Sequence, residues 1–124
     1  MGLSESLAAI FAGVSVKPSG PDAAADYDLF IHGQKEAVIL VDPLGTRTWS
    51  ESRLLALWNL ADNLAVIPLV ASKIHGKWYY MDLNWGSVPA LVPDFETKQV
   101  EIWFKGYNPI SELLEHIEKR RKEK

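Results

Sequence analysis

Two apolar runs of strand length bracket the clearest amphipathic helix in the chain. The first is Ala37-Val38-Ile39-Leu40-Val41-Asp42, stopped by Pro43 and Gly45. The second is Ala65-Val66-Ile67-Pro68-Leu69-Val70-Ala71. Between them Ser50 stands at a helix start, and Leu54, Leu57, Trp58, Ala61 and Leu64/Ala65 recur at helical spacing. The second run does not alternate with polar residues, which predicts a strand buried on both faces. A helix between two strands makes a crossover, so the strands are predicted to run parallel. Pro68 cannot donate to a ladder, which weakens the pairing expected of that strand's first half.

Other elements follow from the same periodicities. Ser4 predicts a helix cap, with Leu7, Ile10, Phe11 and Val14 on one face and Gly13 at the end. Val14–Lys17 alternates like a short strand, and Pro18-Ser19-Gly20-Pro21-Asp22 reads as a loop. Tyr27–Ile31 and Ala37–Asp42 form a hairpin across residues 32–36, and Trp78–Leu83 returns antiparallel after His75-Gly76-Lys77. Trp85–Pro93 reads as a Pro/Gly-punctuated crossing. Lys98–Phe104 alternates as an edge strand. Asn108 and Pro109 predict the start of a last helix, whose stripe is Ile110, Leu113, Leu114 and Ile117. The order α-β-β-β-α-β-β-(β)-α predicts a single α/β domain: a mixed sheet flanked by helices.

At 124 residues, with 48% apolar and 23% charged residues, the chain suits one ordinary core. It has no cysteine, which excludes disulfides, thiolate zinc sites and cysteine nucleophiles. No apolar run reaches bilayer length and no basic segment precedes an apolar start, so a cytoplasmic protein without membrane contact is expected. The net charge of −3 is unevenly distributed. Residues 1–116 carry eight Lys/Arg against fourteen Asp/Glu, whereas residues 117–124 carry five against two. An acidic body argues against strong nucleic-acid affinity, and a local basic patch can outweigh it.

The chemistry-bearing candidates are two carboxylates, Asp28 and Asp42, on the strands of the predicted hairpin. Acids on adjacent strands can converge on one divalent cation, since hard cations take oxygen ligands. The bland alternative is a pair of solvated strand-end acids. Glu5 equally suits a helix first turn, and Ser19-Gly20 ordinary turn chemistry. His32, His75 and His116 lack metal spacing and are expected in solvent. Trp78, Tyr79, Tyr80, Trp85, Trp103, Phe104 and Tyr107 suit either core and subunit interface or base stacking. Lys119, Arg120 and Arg121 suit a solvated helix end or phosphate contact.

Several strings together resemble the archaeal Holliday junction resolvases, within the restriction-endonuclease-like nuclease superfamily. That family opens with a helix carrying Glu-Arg, where this chain has Glu5-Ser6. A strand, an Arg and a Ser/Gly loop follow, where Val14–Gly20 is similar with Lys17 for the Arg and Ser19 in the loop. A metal-binding Asp-Leu is matched by Asp28-Leu29, and Glu-x-Lys by Asp42-Pro43-Leu44. Arg53-Leu54-Leu55, Ile67–Lys73, Gly76–Tyr80 and Tyr107–Leu114 extend the likeness over nearly the whole chain. The resemblance implies a nuclease-fold domain over residues 1–118 followed by a basic tail, 119–124.

In that family two acids hold Mg²⁺, the lysine activates or orients the attacking water, and the first-helix Glu completes the site. The resemblance thus implies Glu5, Asp28 and Asp42 as remnant catalytic residues, with Asp28 and Asp42 as ligands of any retained Mg²⁺. Leu44 stands where the lysine belongs. Lys17 or Arg47 would be the surrogate cation; these two with Lys119, Arg120 and Arg121 would contact nucleic acid. If Val41 rather than Asp42 takes the acid's place, the site is emptier still. The implied protein is a catalytically impaired junction-binding or partner-binding dimer of recombination or repair, paired with itself or with an active relative. It would have no small-molecule substrate. The alternatives are an active Mg²⁺-dependent structure-specific endonuclease and a structural subunit of a tRNA-splicing endonuclease, whose closing hairpin Trp78-Tyr79-Tyr80 with Trp85 loosely resembles.

Overall fold

The computed structural model describes residues 2–84 and 91–122. Helix α1 (Leu3–Ile10) precedes strands β1 (Val14–Pro18), β2 (Tyr27–Ile31), β3 (Gln34–Asp42) and β4 (Thr48–Ser50). Helix α2 (Glu51–Leu64) follows, then β5 (Ile67–Ile74), β6 (Lys77–Asp82), β7 (Leu91–Asp94), β8 (Gln99–Ile102) and β9 (Asn108–Pro109). Helix α3 (Leu113–Lys122) closes the described chain, after short 3-10 turns at Phe104–Gly106 and Ile110–Glu112.

Six strands form one mixed sheet in the order β1-β2-β3-β5-β6-β9. Among the described residues only β3 and β5 run parallel, from Ala37↔Ile67 to Asp42↔Ser72, as the apolar runs around α2 predict. Pro68 sits inside this pair, and its carbonyl still accepts the Leu83 N–H at 2.9 Å. The hairpins β2–β3 and β5–β6 each turn on a His-Gly pair with positive φ at both residues, the left-handed geometry that matches strand twist.

Alternating side chains give the sheet two apolar faces. Leu29, Ile31, Ala37, Ile39, Leu69 and Tyr80 pack under Leu3 and Leu7 of α1 and Leu113 and Ile117 of α3. On the other face Val38, Leu40, Val70 and Met81 pack against Leu57 and Ala61 of α2 and against Trp49, Ile102 and Tyr107. The molecule is thus a small α/β domain whose mixed sheet is flanked by three helices. Among the described residues, no helix is long and apolar enough to cross a membrane.

Several expectations are corrected. A second sheet, β4-β8-β7, was not anticipated, and β8 is its central strand rather than an edge. Within the predicted crossing, Leu91–Asp94 is strand β7, while residues 85–90, Trp85 included, lie outside the described residues. Asn108 and Pro109 pair with β6, so the last helix begins four residues later than Pro109. The N-cap of α1 is Gly2, not Ser4, and its Ile10 is exposed. On α2, Trp58 leaves the predicted stripe for the surface, where its indole donates to the Asn84 side chain. The helix buries only the width that the sheet covers.

Candidate functional site

The two acids of the predicted site are built into separate constellations. Asp28 faces Val38 across the β2–β3 ladder, four residues short of Asp42 along β3. At about 3.3 Å per residue that leaves roughly 13 Å between them. Asp28 accepts the Ser19 hydroxyl at 2.7 Å and pairs with Lys35 at 3.2 Å. Lys17, opposite Asp28 on β1, lies 5.4 Å over the Phe30 ring. Glu5 comes from the other side of the sheet. It belongs to α1, under the Leu29 face, and its carboxylate accepts the Gly2 amide.

Asp42 is a buried carboxylate, 7% exposed, at the end of the central strand. One oxygen accepts the Thr46 amide and hydroxyl at 3.2 and 3.1 Å. The other accepts the Arg47 amide at 2.8 Å and the Ser72 hydroxyl at 3.0 Å. Ser72 also lies 3.0 Å from the Tyr107 hydroxyl, which accepts the Trp49 indole N–H at 3.1 Å. The indole can only donate and the carboxylate can only accept. Protons therefore run one way, from Trp49 to Tyr107 to Ser72 to Asp42. Burial holds the Tyr107 hydroxyl above its ordinary pKa.

This network shapes the turn that follows β3. Arg47 adopts φ 60° and its carbonyl accepts the Ile102 amide at 2.8 Å. Gly45 has φ +68°, and a Cβ there would meet the Lys73 carbonyl at 2.5 Å. The turn is thereby pressed onto β5, and Leu44 stands 85% exposed. Leu44, Arg47, Lys73, His75 and Phe104 line a cavity of about 370 Å³.

The donor sets do not fit a shared divalent ion. Both Asp42 oxygens are saturated by protein donors, Asp28 has its own cation, and the two are far apart. Among the described residues no group of three His, Cys, Asp or Glu side chains is placed to hold a metal. On the opposite side of β3, Val41 and Pro43 line a bowl of about 420 Å³ with Leu3, Tyr27, Trp78 and Asp26. This is the register in which Val41 takes the acid's place. Asp26 accepts the Val41 amide at 2.9 Å and lies 3.4 Å from Arg53. Sequence reasoning passed Asp26 over because it precedes β2 and belongs to no strand pattern.

The basic C-terminal residues lie on α3, and two of the three expected nucleic-acid contacts have partners within the fold. Arg120 reaches Asp82 at 2.5 Å, and Arg121 pairs with Glu36. His116 is no solvated residue either: its Nε2 lies 2.8 Å from the same Asp82, which is 2% exposed. Asp82 also accepts the Asn84 amide at 2.9 Å. Tyr80 lies beside this cluster, its hydroxyl pushed up to about 12 by burial and by the charges of Glu112, Asp82 and Glu115. The cluster had a readable signal: His116 and Arg120 are spaced i, i+4, on one helix face. Lys119 lines the 410 Å³ cavity beside it with Lys105, Glu112 and Glu115. No protein-family model and no curated protein matches the chain.

Proposed function

We propose that this chain is a catalytically silent relative of the archaeal Holliday junction resolvases, one that holds branched DNA as a dimer without cutting it. The end of β3 carries this reading. The acid there, Asp42, is absorbed by Thr46, Arg47 and Ser72, and the next outward position is the hydrocarbon of Leu44. The other register puts Val41 and Pro43 in a bowl with Asp26 and with Gly2, whose amide the Glu5 carboxylate accepts. Either way, among the described residues, no acid pair and lysine meet to activate water or to neutralise a phosphoryl oxygen. Loss of one positioned charge raises such a barrier by about 2–4 kcal/mol, roughly a hundredfold to a thousandfold in rate. The parallel β3–β5 pair across α2, with α1 and α3 together on one face, supports the nuclease-like framework.

A low-salt gel shift with a four-way junction and a plain duplex tests the binding, and incubation of the junction with Mg²⁺ or Mn²⁺ tests the silence. The expected result is a shifted, uncut junction. No shift with either DNA refutes the binding; cleavage that is lost in Asp42→Asn refutes the silence and favours an active endonuclease.

A further inference from the structure

Beside the buried Asp42 the surface changes character. The turn after β3 presents Arg47, the β5–β6 hairpin presents His75, and Lys73 lines the cavity between them. Phe104 forms the far wall, edge-on to Tyr79 with ring centroids 5.0 Å apart. Trp103 precedes it, with Lys105 5.1 Å over its ring. These two aromatic side chains are 44% and 46% exposed. The backbone just before them is tied to the turn after β3, the Ile102 amide donating to the Arg47 carbonyl at 2.8 Å. Arg47, Lys73 and His75 thus share one ledge with the open Phe104 ring, and Trp103 is the residue beside it in the chain.

Water-exposed aromatic rings beside guanidinium and ammonium groups suit a ligand that is anionic and has flat faces. Duplex DNA hides its base faces, whereas an unpaired strand offers base faces and phosphates together. We propose that this ledge binds single-stranded DNA, with bases stacked on Trp103 and Phe104 and phosphates on Arg47, Lys73 and His75. Glu101 is an opposing charge, exposed on β8 two residues from Trp103, and Glu112 and Glu115 share the neighbouring cavity with Lys105. Asp42 lies beneath the ledge, saturated by its own donors, and orients Arg47 through its backbone. This inference deepens the proposed DNA-binding role and rests on it.

Fluorescence anisotropy of a labelled oligothymidylate at low salt tests the ledge. Trp103→Ala and Arg47→Ala should each weaken binding about tenfold or more, within the range of losing one stacked base. Trp103→Phe should retain most of the affinity, and Glu101→Gln should raise it. Far-UV circular dichroism confirms that each variant folds. Unchanged affinity in both alanine variants, with junction binding intact, overturns the ledge alone. Binding of neither oligothymidylate nor junction overturns both readings. Tighter binding of oligouridylate than of oligothymidylate overturns the assignment to DNA.

Discussion

At the scale of single residues, Asp42 illustrates how little a residue type says about its task. A carboxylate closing an apolar strand is what a metal site needs, and equally what a turn of unpaired amides needs. The amides of Thr46 and Arg47 decide for the second. Asp42→Asn preserves size but turns one acceptor into a donor facing existing donors. It is expected to cost about 1–3 kcal/mol in urea denaturation. Gly45→Ala should cost a similar ~1–3 kcal/mol, because its φ of +68° and the Lys73 carbonyl both oppose a Cβ. The acid was legible in the sequence. Its donor Ser72 was not, since it lies 30 residues away and becomes a neighbour only through the parallel pairing.

At the scale of elements, the clearest case is α3. Four consecutive basic residues look alike in sequence, yet they divide by helix azimuth. Leu113 and Ile117 face the sheet, and Arg120 turns with His116 onto Asp82. Breaking a buried ion pair by removing one partner typically costs about 3–5 kcal/mol. Asp82→Ala should cost that much and reduce amide protection in α3 before the rest of the chain. Tyr80 adds a pH dependence of known sign. Its hydroxyl is held above the unfolded value of 10.0, at about 12. Between these values the unfolded chain releases a proton that the folded chain keeps, so stability is complete below pH 10 and falls toward pH 12. Tyr80→Phe should make that decline shallower in denaturation measured across this range. Tyr107, also raised, sustains what remains.

At the scale of the whole molecule, one sheet carries apolar packing on both faces. Leu69 faces α1 and α3, and Leu40 faces α2 and the second sheet; both are fully buried. Leu40→Ala and Leu69→Ala should each cost roughly 2–5 kcal/mol. Because β3 and β5 are adjacent, each variant should still unfold in a single transition by fluorescence and circular dichroism alike. Two separate transitions would mean that the faces fold independently.

The sequence by itself determined the parallel pair around α2, the presence of the two hairpins though not their two-residue turns, and the Leu113, Leu114 and Ile117 part of the stripe of α3. Each depends on periodicity or turn geometry within a few dozen residues. Only the tertiary structure decided that β8 is central in a second sheet, that Asp28 and Asp42 stand apart, and that Arg120 belongs to Asp82. Those outcomes depend on which strand pairs with which, in what register, and how far each helix turns about its axis. A one-residue change in register sends a side chain to the opposite face, and no local pattern records that choice.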